Sequence, residues 1–262
     1  MDLGIELIAF LAVAALAAGF IDAIAGGGGL ITIPALLAAG VPPVPALATN
    51  KLQSTFGTGG AVLAYARKGH IDFRRFALPT LAAFVGSALG AFLLTRIDPG
   101  FLSALLPVLL IAIALYFVFS PRVGDEDRHS RGGPALLLAV ALAIGCYDGF
   151  FGPGTGSFLT TALVGLFGMG VLRAVAHTKL LNFASNVAAL LVLVLAGQVL
   201  WTIGLTMAVA NALGAQAGAF VAMRYGSGIA RPLLVVVTLA LTATLLAEPG
   251  NPLGDMIRAG LG

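Results

Sequence analysis

The sequence predicts an all-α, polytopic membrane protein made of two homologous halves, each with a glycine-broken helix followed by a short half-helix. Three observations carry this. The first is composition: 59% of the 262 residues are hydrophobic and 10% are charged, and the mean hydropathy is +1.04. A water-soluble domain carries about 25% charged residues, so this chain lacks the polar surface to face water. The second is that apolar runs of roughly the 20 residues needed to cross a bilayer recur along the whole length. The third is an internal repeat. Asp148 follows Asp22 by 126 residues, and Gly154 follows Gly28 by the same number. Further on the offset is 128, for Lys51 and Lys179, Gly69 and Gly197, Gly86 and Gly214, Gly90 and Gly218, and Arg96 and Arg224. One offset held over five landmarks, after a two-residue insertion, marks a duplication.

The elements follow in order. Residues 3–25 read as a helix that belongs to the mature chain, since no basic stretch precedes the apolar run as in a cleaved leader. Four glycines interrupt it, and residues 30–39 form a helix too short to span alone. Residues 40–45, with three prolines, read as a turn, because proline lacks a donor and restricts its predecessor. Residues 46–66 are helical, 67–75 form a basic loop, and 76–95 and 100–119 are helical. Residues 120–133 are the one clearly polar linker, expected in the cytoplasm between a first repeat (1–119) and a second (134–262). The second repeats the order: helix 135–150, break 152–156, short helix 157–167, then helices 171–196, 201–223 and 229–247. The glycine pairs four apart, Gly86/Gly90 and Gly214/Gly218, read as faces for close helix packing.

Each half thus has five segments. If the short one carries the chain back across the membrane, the odd count makes the halves an inverted repeat. If it re-enters and leaves on one side, the halves are parallel. Excess Lys and Arg mark the cytoplasmic side. With the 67–75 loop inside, the inverted arrangement also places Arg122, Arg128, Arg131, Arg173, Arg224 and Arg231 inside, and only Arg96 and Arg258 outside. The parallel one moves Arg173, Arg224 and Arg231 out. The inverted arrangement is therefore expected, with both termini outside.

Other function classes are disfavoured. The net charge of +3 comes from few, scattered basic residues, with no basic stripe and interleaved aromatics for nucleic acid. The single cysteine, Cys146, excludes an intrachain disulfide, a multi-cysteine zinc site and a cysteine-held iron–sulfur cluster. Three histidines lie on three separate segments, and no nucleophile–base–acid set is present. Neither an enzyme nor a cofactor is expected.

Lys51 and Lys179 are the sharpest signal. Each lies in the first turns of an apolar helix, at matching positions of the repeat. An ionisable residue inside a membrane segment marks a functional site; the other reading is that each lysine snorkels to the interface. Polar neighbours fit an anion site: Thr49, Asn50, Gln53, Ser54, Thr55 and Thr58 on one helix, and His177, Thr178, Asn182, Ser185 and Asn186 on the other. Spacings of three and four put several on the lysine's face. Hydrogen bonding between helices is the alternative role.

The glycine breaks expose backbone N–H groups, and the short helices that follow point their positive ends at them. A broken helix within a membrane is tolerated only where protein or a cavity covers it; a packing kink or hinge is the rival reading. Asp22 and Asp148 precede the breaks, placed either to bind a proton or cation or to pair with a lysine or N–H groups. The candidate binding set is Gly26, Gly27, Gly28, Gly29, Thr32, Asn50, Lys51 and Ser54, with Gly152, Gly154, Thr155, Gly156, Ser157, His177, Thr178, Lys179 and Asn182. Asp22 and Asp148 are the candidates for proton or ion coupling, and no metal site is expected.

Two stretches, GFIDAIAGGGGLITIPAL with ALATNKLQS, and GCYDGFFGPGTGSFL with AVAHTKLLNFASN, resemble the TauE/SafE family of sulfite exporters over nearly the whole chain. The second break departs from the family's usual glycine richness at Pro153 and Thr155. The resemblance implies transport of a small anion such as sulfite or an organosulfonate across the cytoplasmic membrane, with export the expected direction. The lipid bilayer and that anion are the expected partners, nucleic acid is not, and homo-oligomer formation stays open. A permease for a neutral solute or metal cation, or a membrane scaffold, are the rival functions.

Overall fold

The computed structural model describes residues 4–119 and 132–225. Residues 120–131 of the expected linker 120–133, and the expected last helix, 229–247, lie outside the described residues. Among the described residues the structure is all-helical: α1 (Ile5–Ala25), α2 (Gly29–Ala38), α3 (Pro43–Arg67), α4 (Phe73–Leu94), α5 (Pro99–Phe119), α6 (Pro134–Phe150), α7 (Thr155–Gly165), α8 (Val171–Leu195) and α9 (Trp201–Tyr225). Four of these, α1, α4, α8 and α9, are long and apolar enough to cross a membrane. The ten residues of α2 rise about 15 Å, half the hydrocarbon thickness of about 30 Å.

Several boundaries differ from expectation, each for a local reason. α3 starts inside the expected turn, at Pro43, because a proline in the first helical turn loses no hydrogen bond. α4 starts at Phe73, inside the expected basic loop, because Asp72 caps it and its carboxylate accepts the Arg75 N–H at 3.0 Å. α7 starts at Thr155 with Gly154 as its cap, so the second break is shorter than residues 152–156.

The outer surface is greasy in helical register. Leu78, Leu81, Val85, Leu89 and Phe92 of α4, and Trp201, Leu205, Val209 and Leu213 of α9, are all exposed. In water such stripes would drive aggregation; in a bilayer they meet lipid.

The interior is organised by close backbone approach. α4 packs along α6, and α1 along α9. A Cβ at Gly86 or Gly90 would collide with the backbone of Leu142, Cys146 and Phe150, and one at Gly214 or Gly218 with that of Leu16 and Phe20. Without a hydrophobic force between helices in lipid, such tight contacts supply the association. α3 packs against both α8 and α9, and α8 also against α4.

Sidedness follows from the packing. Leu11 and Ala15 of α1, Leu36 of α2, Val41, Ala46 of α3, and Ile203 and Met207 of α9 form one cluster. The short helix therefore returns the chain to the side where α1 began. On the opposite side the starts of α4 and α8 meet, with the Phe76 and His177 ring centroids 4.1 Å apart. Arg75 there shares an apolar cleft with Pro134 of α6 and Phe167 beyond α7.

The small-residue faces are testable. Gly90→Ala pushes a methyl into the Cys146 carbonyl and is expected to cost about 1–3 kcal/mol of stability, read by equilibrium unfolding in mixed micelles. Gly165→Ala, where a Cβ meets nothing within 4 Å, is expected to be neutral.

Candidate functional site

The two breaks meet in the middle of the molecule. In the first, Gly26 and Gly27 take φ of 81° and 97°; in the second, Gly152 and Gly154 take 98° and 84°. Pro153 stands where the repeat offset would put a partner of Gly27, and its ring forbids a positive φ, so the second turn uses Gly154 instead. The breaks touch backbone to backbone: a Cβ at Gly26 would lie 2.6 Å from the Ser157 nitrogen, and the Ser157 hydroxyl donates to the Ala25 carbonyl at 2.6 Å. Gly26, Gly27, Gly28 and Gly154 are all buried, as irregular backbone at membrane depth must be.

Neither lysine snorkels. Lys51 of α3 reaches Asp148 at the end of α6, Nζ to Oδ1 2.9 Å, and Lys179 of α8 reaches Asp22 near the end of α1, Nζ to Oδ2 2.8 Å. Each charge is thus neutralised from the other end of the chain. Further bonds tie the pairs down. Lys51 donates to Asn186 Oδ1 at 3.3 Å, the Ser185 hydroxyl to Asp148 Oδ2 at 2.6 Å, and the Gly28 N–H to Asp22 Oδ1 at 3.1 Å.

Between the pairs lies a small polar cavity of about 20 Å³, room for about one water. Both aspartates line it with Lys51, Asn50, Ser54 and Asn182, and with Gly27, Gly28, Gly29, Gly152, Thr155 and Gly156. Asn50 Oδ1 already accepts from the Thr32 hydroxyl at 2.6 Å and from Gln53 at 2.8 Å, which leaves its NH₂ group available to the cavity. Asn182 is set likewise, its Oδ1 taking the Asn186 amide at 2.6 Å.

The family model described as Sulfite exporter TauE/SafE matches residues 11–245. The chain belongs to the TauE/SafE family. It is similar to the probable membrane transporter protein ORF9 of Sinorhizobium sp, 54% identical over 253 residues that cover 96% of this chain and 97% of that one. A probable membrane transporter protein of Haemophilus influenzae is 46% identical over 251 residues, 95% and 98% of the two chains. The probable membrane transporter protein YfcA of Escherichia coli K12 is 44% identical over 244 residues, 92% and 90%. No solved structure matches the chain. Family and relatives together make this a multi-pass membrane transporter of a bacterial family.

The remaining candidates in this TauE/SafE chain, His177 excepted, sit around the cavity. Lys179 does not line it but stands behind Asp22. Gly26 and Ser157 form the seam between the breaks, and Gly154 caps α7. The Thr155 hydroxyl is committed to the Gly152 carbonyl at 2.7 Å. Thr32 joins α2 to Asn50, and Thr178 accepts the Thr160 hydroxyl of α7 at 3.2 Å.

His177 lies apart from the cavity. Its Nε2 accepts the Asp72 N–H at 3.0 Å and its Nδ1 faces the Arg173 carbonyl at 2.7 Å, so the proton sits on Nδ1. Thr49 does the same work at the other end of the bundle, accepting the Leu200 N–H at 3.2 Å. Two further cavity residues, Thr58 and Asn186, are among the polar neighbours named from the sequence but not in the candidate binding set. Each follows a candidate by four residues (Ser54 and Asn182), and that helical spacing was the signal for them.

The pairs predict their own energetics. Asp148→Asn strands the Lys51 ammonium, whose side chain is 2% exposed, and is expected to cost about 3–5 kcal/mol. Adding Lys51→Met removes the stranded charge and is expected to recover most of that loss in the same micelle unfolding measurement. A double variant no more stable than Asp148→Asn would show that the pair is not the coupled unit described.

Proposed function

We propose that this transporter carries a small oxyanion or sulfonate, sulfite among them, outward across the cytoplasmic membrane, with the anion bound between two inverted repeats. The observation that carries this is a polar cavity lined by the buried Lys51 and by Asp22, with the buried Lys179 behind that aspartate, walled by two broken helices and backed by amide groups. Lysine ammoniums and break N–H groups are anion donors. Cation transport fits poorly with two lysines at the centre.

Matched contacts support the inverted repeat. Lys51–Asp148 and Lys179–Asp22 exchange partners between the halves. The contacts of Gly86 and Gly90 with Leu142 and Cys146 are echoed by those of Gly214 and Gly218 with Leu16 and Phe20, at the sequence offsets of the repeat. The Asp72–His177 and Leu200–Thr49 bonds form a third matched set. In this arrangement α1 and α6 start on opposite sides, and rocking of one half against the other would expose the cavity alternately. Arg67, Lys68, Arg74, Arg75 and Arg173 gather at the end where α4 and α8 start, which supports a cytoplasmic location for that end.

Flux into or out of proteoliposomes, run against sulfite, sulfate and alkanesulfonates, tests the reading. Lys51→Ala with Lys179→Ala, scored on protein that still elutes as a single species, is expected to lower flux of the preferred anion by about tenfold or more, the scale of a lost charged hydrogen bond. Undiminished flux would falsify the assignment of the lysines.

A further inference from the structure

We propose that the Asp22 carboxylate is a built-in competitor for the transported anion, so that anion binding requires Asp22 to take up a proton. This rests on the anion reading above and assigns it a coupling residue.

The two ion pairs are not equivalent. In Lys51–Asp148 the side chains are 2% and 3% exposed, and the second oxygen of Asp148 is held by Ser185. In Lys179–Asp22 the lysine is 1% exposed but the aspartate is 19% exposed. The oxygens of Asp22 take the Lys179 ammonium and the Gly28 N–H. These are the two donor types an incoming oxyanion would use: a cation and a backbone N–H at the start of a helix. Asp22 lines the cavity, while Lys179 is not part of the lining and pairs with that carboxylate from behind. A space of about 20 Å³ holds about one water, so an oxyanion gains Lys179 only where the carboxylate now sits.

Charge balance points the same way. Two lysines and two ionised aspartates sum to zero. An added anion leaves an uncompensated charge in a dry interior, which is costly; an anion with a proton does not. A proton on Asp22 discharges the carboxylate and frees both of its donors. The ionisable groups facing Asp22 are Lys179 of α8, Lys51 of α3 and Asp148 of α6 around the cavity, with Tyr65 of α3, whose hydroxyl donates to the Ala23 carbonyl at 3.0 Å. α2 and α7 carry no ionisable side chain, and α9 carries only Arg224 and Tyr225, at its last turn. A monovalent anion and its proton then move outward as a neutral set, so the flux follows the anion's own gradient, is opposed by an acid exterior and does not respond to the membrane potential.

Calorimetric titration of the purified full-length transporter tests this, with methanesulfonate, whose own charge is fixed, in two buffers of unlike ionisation enthalpy. Wild type is expected to take up about one proton per anion bound. Asp22→Asn is expected to bind without proton uptake, and Glu6→Gln, which changes an exposed carboxylate in the first turn of the same helix away from the cavity, to retain it. Binding by wild type with no proton uptake overturns the proposal, whether or not the variants fold. So does uptake that survives in Asp22→Asn. If neither methanesulfonate nor sulfite binds at all, the anion reading itself falls, which is a separate result.

Discussion

A charge inside a bilayer is tolerated where an opposite charge meets it, and here each partner is supplied by the distant part of the chain. Lys51 and Lys179 sit on neighbouring long helices, α3 and α8, and their aspartates sit at the ends of α1 and α6. Removing any one of the four strands another, at several kcal/mol. The arrangement therefore fixes more than a site. It requires both broken helices to end at the same depth and to face each other, which is where Gly26 meets Gly156.

That requirement explains the glycine elsewhere. The aspartates reach across only if α1 and α6 lie deep against their neighbours. Gly214 and Gly218 let α9 approach α1 to backbone contact, and Gly86 and Gly90 do the same for α4 and α6. Close packing in lipid stands in for the hydrophobic force that water would provide. The hydroxyls are spent in the same cause: Thr32, Ser157 and Thr160 each tie a short helix to a longer one. The polar side chains are thus divided between holding the breaks and lining the cavity.

Much of this was legible in the residues, for a physical reason. Composition specifies a membrane solvent, and a duplicated lysine in that solvent demands a partner, so pairing with a lysine or N–H groups was one of the two roles open to Asp22 and Asp148, binding a proton or cation being the other. Which lysine meets which aspartate was not legible, because that depends on how the halves cross rather than on any local spacing. His177 looked like a site residue because it lies two positions from Lys179. On a helix that offset turns it to another face, where it caps the α4 start. The starts of α3 and α4 were misplaced for a smaller reason: proline and a capping aspartate signal a helix N-terminus as readily as a turn.

The inequality of the two pairs traces to one position. Ser185, whose hydroxyl holds the second oxygen of Asp148, stands 128 residues after Gly57. On the proposed repeat, Gly57 is where a matching hydroxyl for Asp22 would come from, and glycine has none. Nor is there room for one, since a Cβ at Gly57 would collide with the Asn211 carboxamide, which donates to Gln53 at 2.7 Å. Asp22 therefore turns its free oxygen to the Gly28 N–H, a donor in the break itself, and keeps a face toward the cavity. A symmetric pair of sealed ion pairs would leave neither carboxylate free to exchange its donors. Losing one hydroxyl leaves one pair as a fixed brace and the other as a place where a carboxylate and an anion can trade positions.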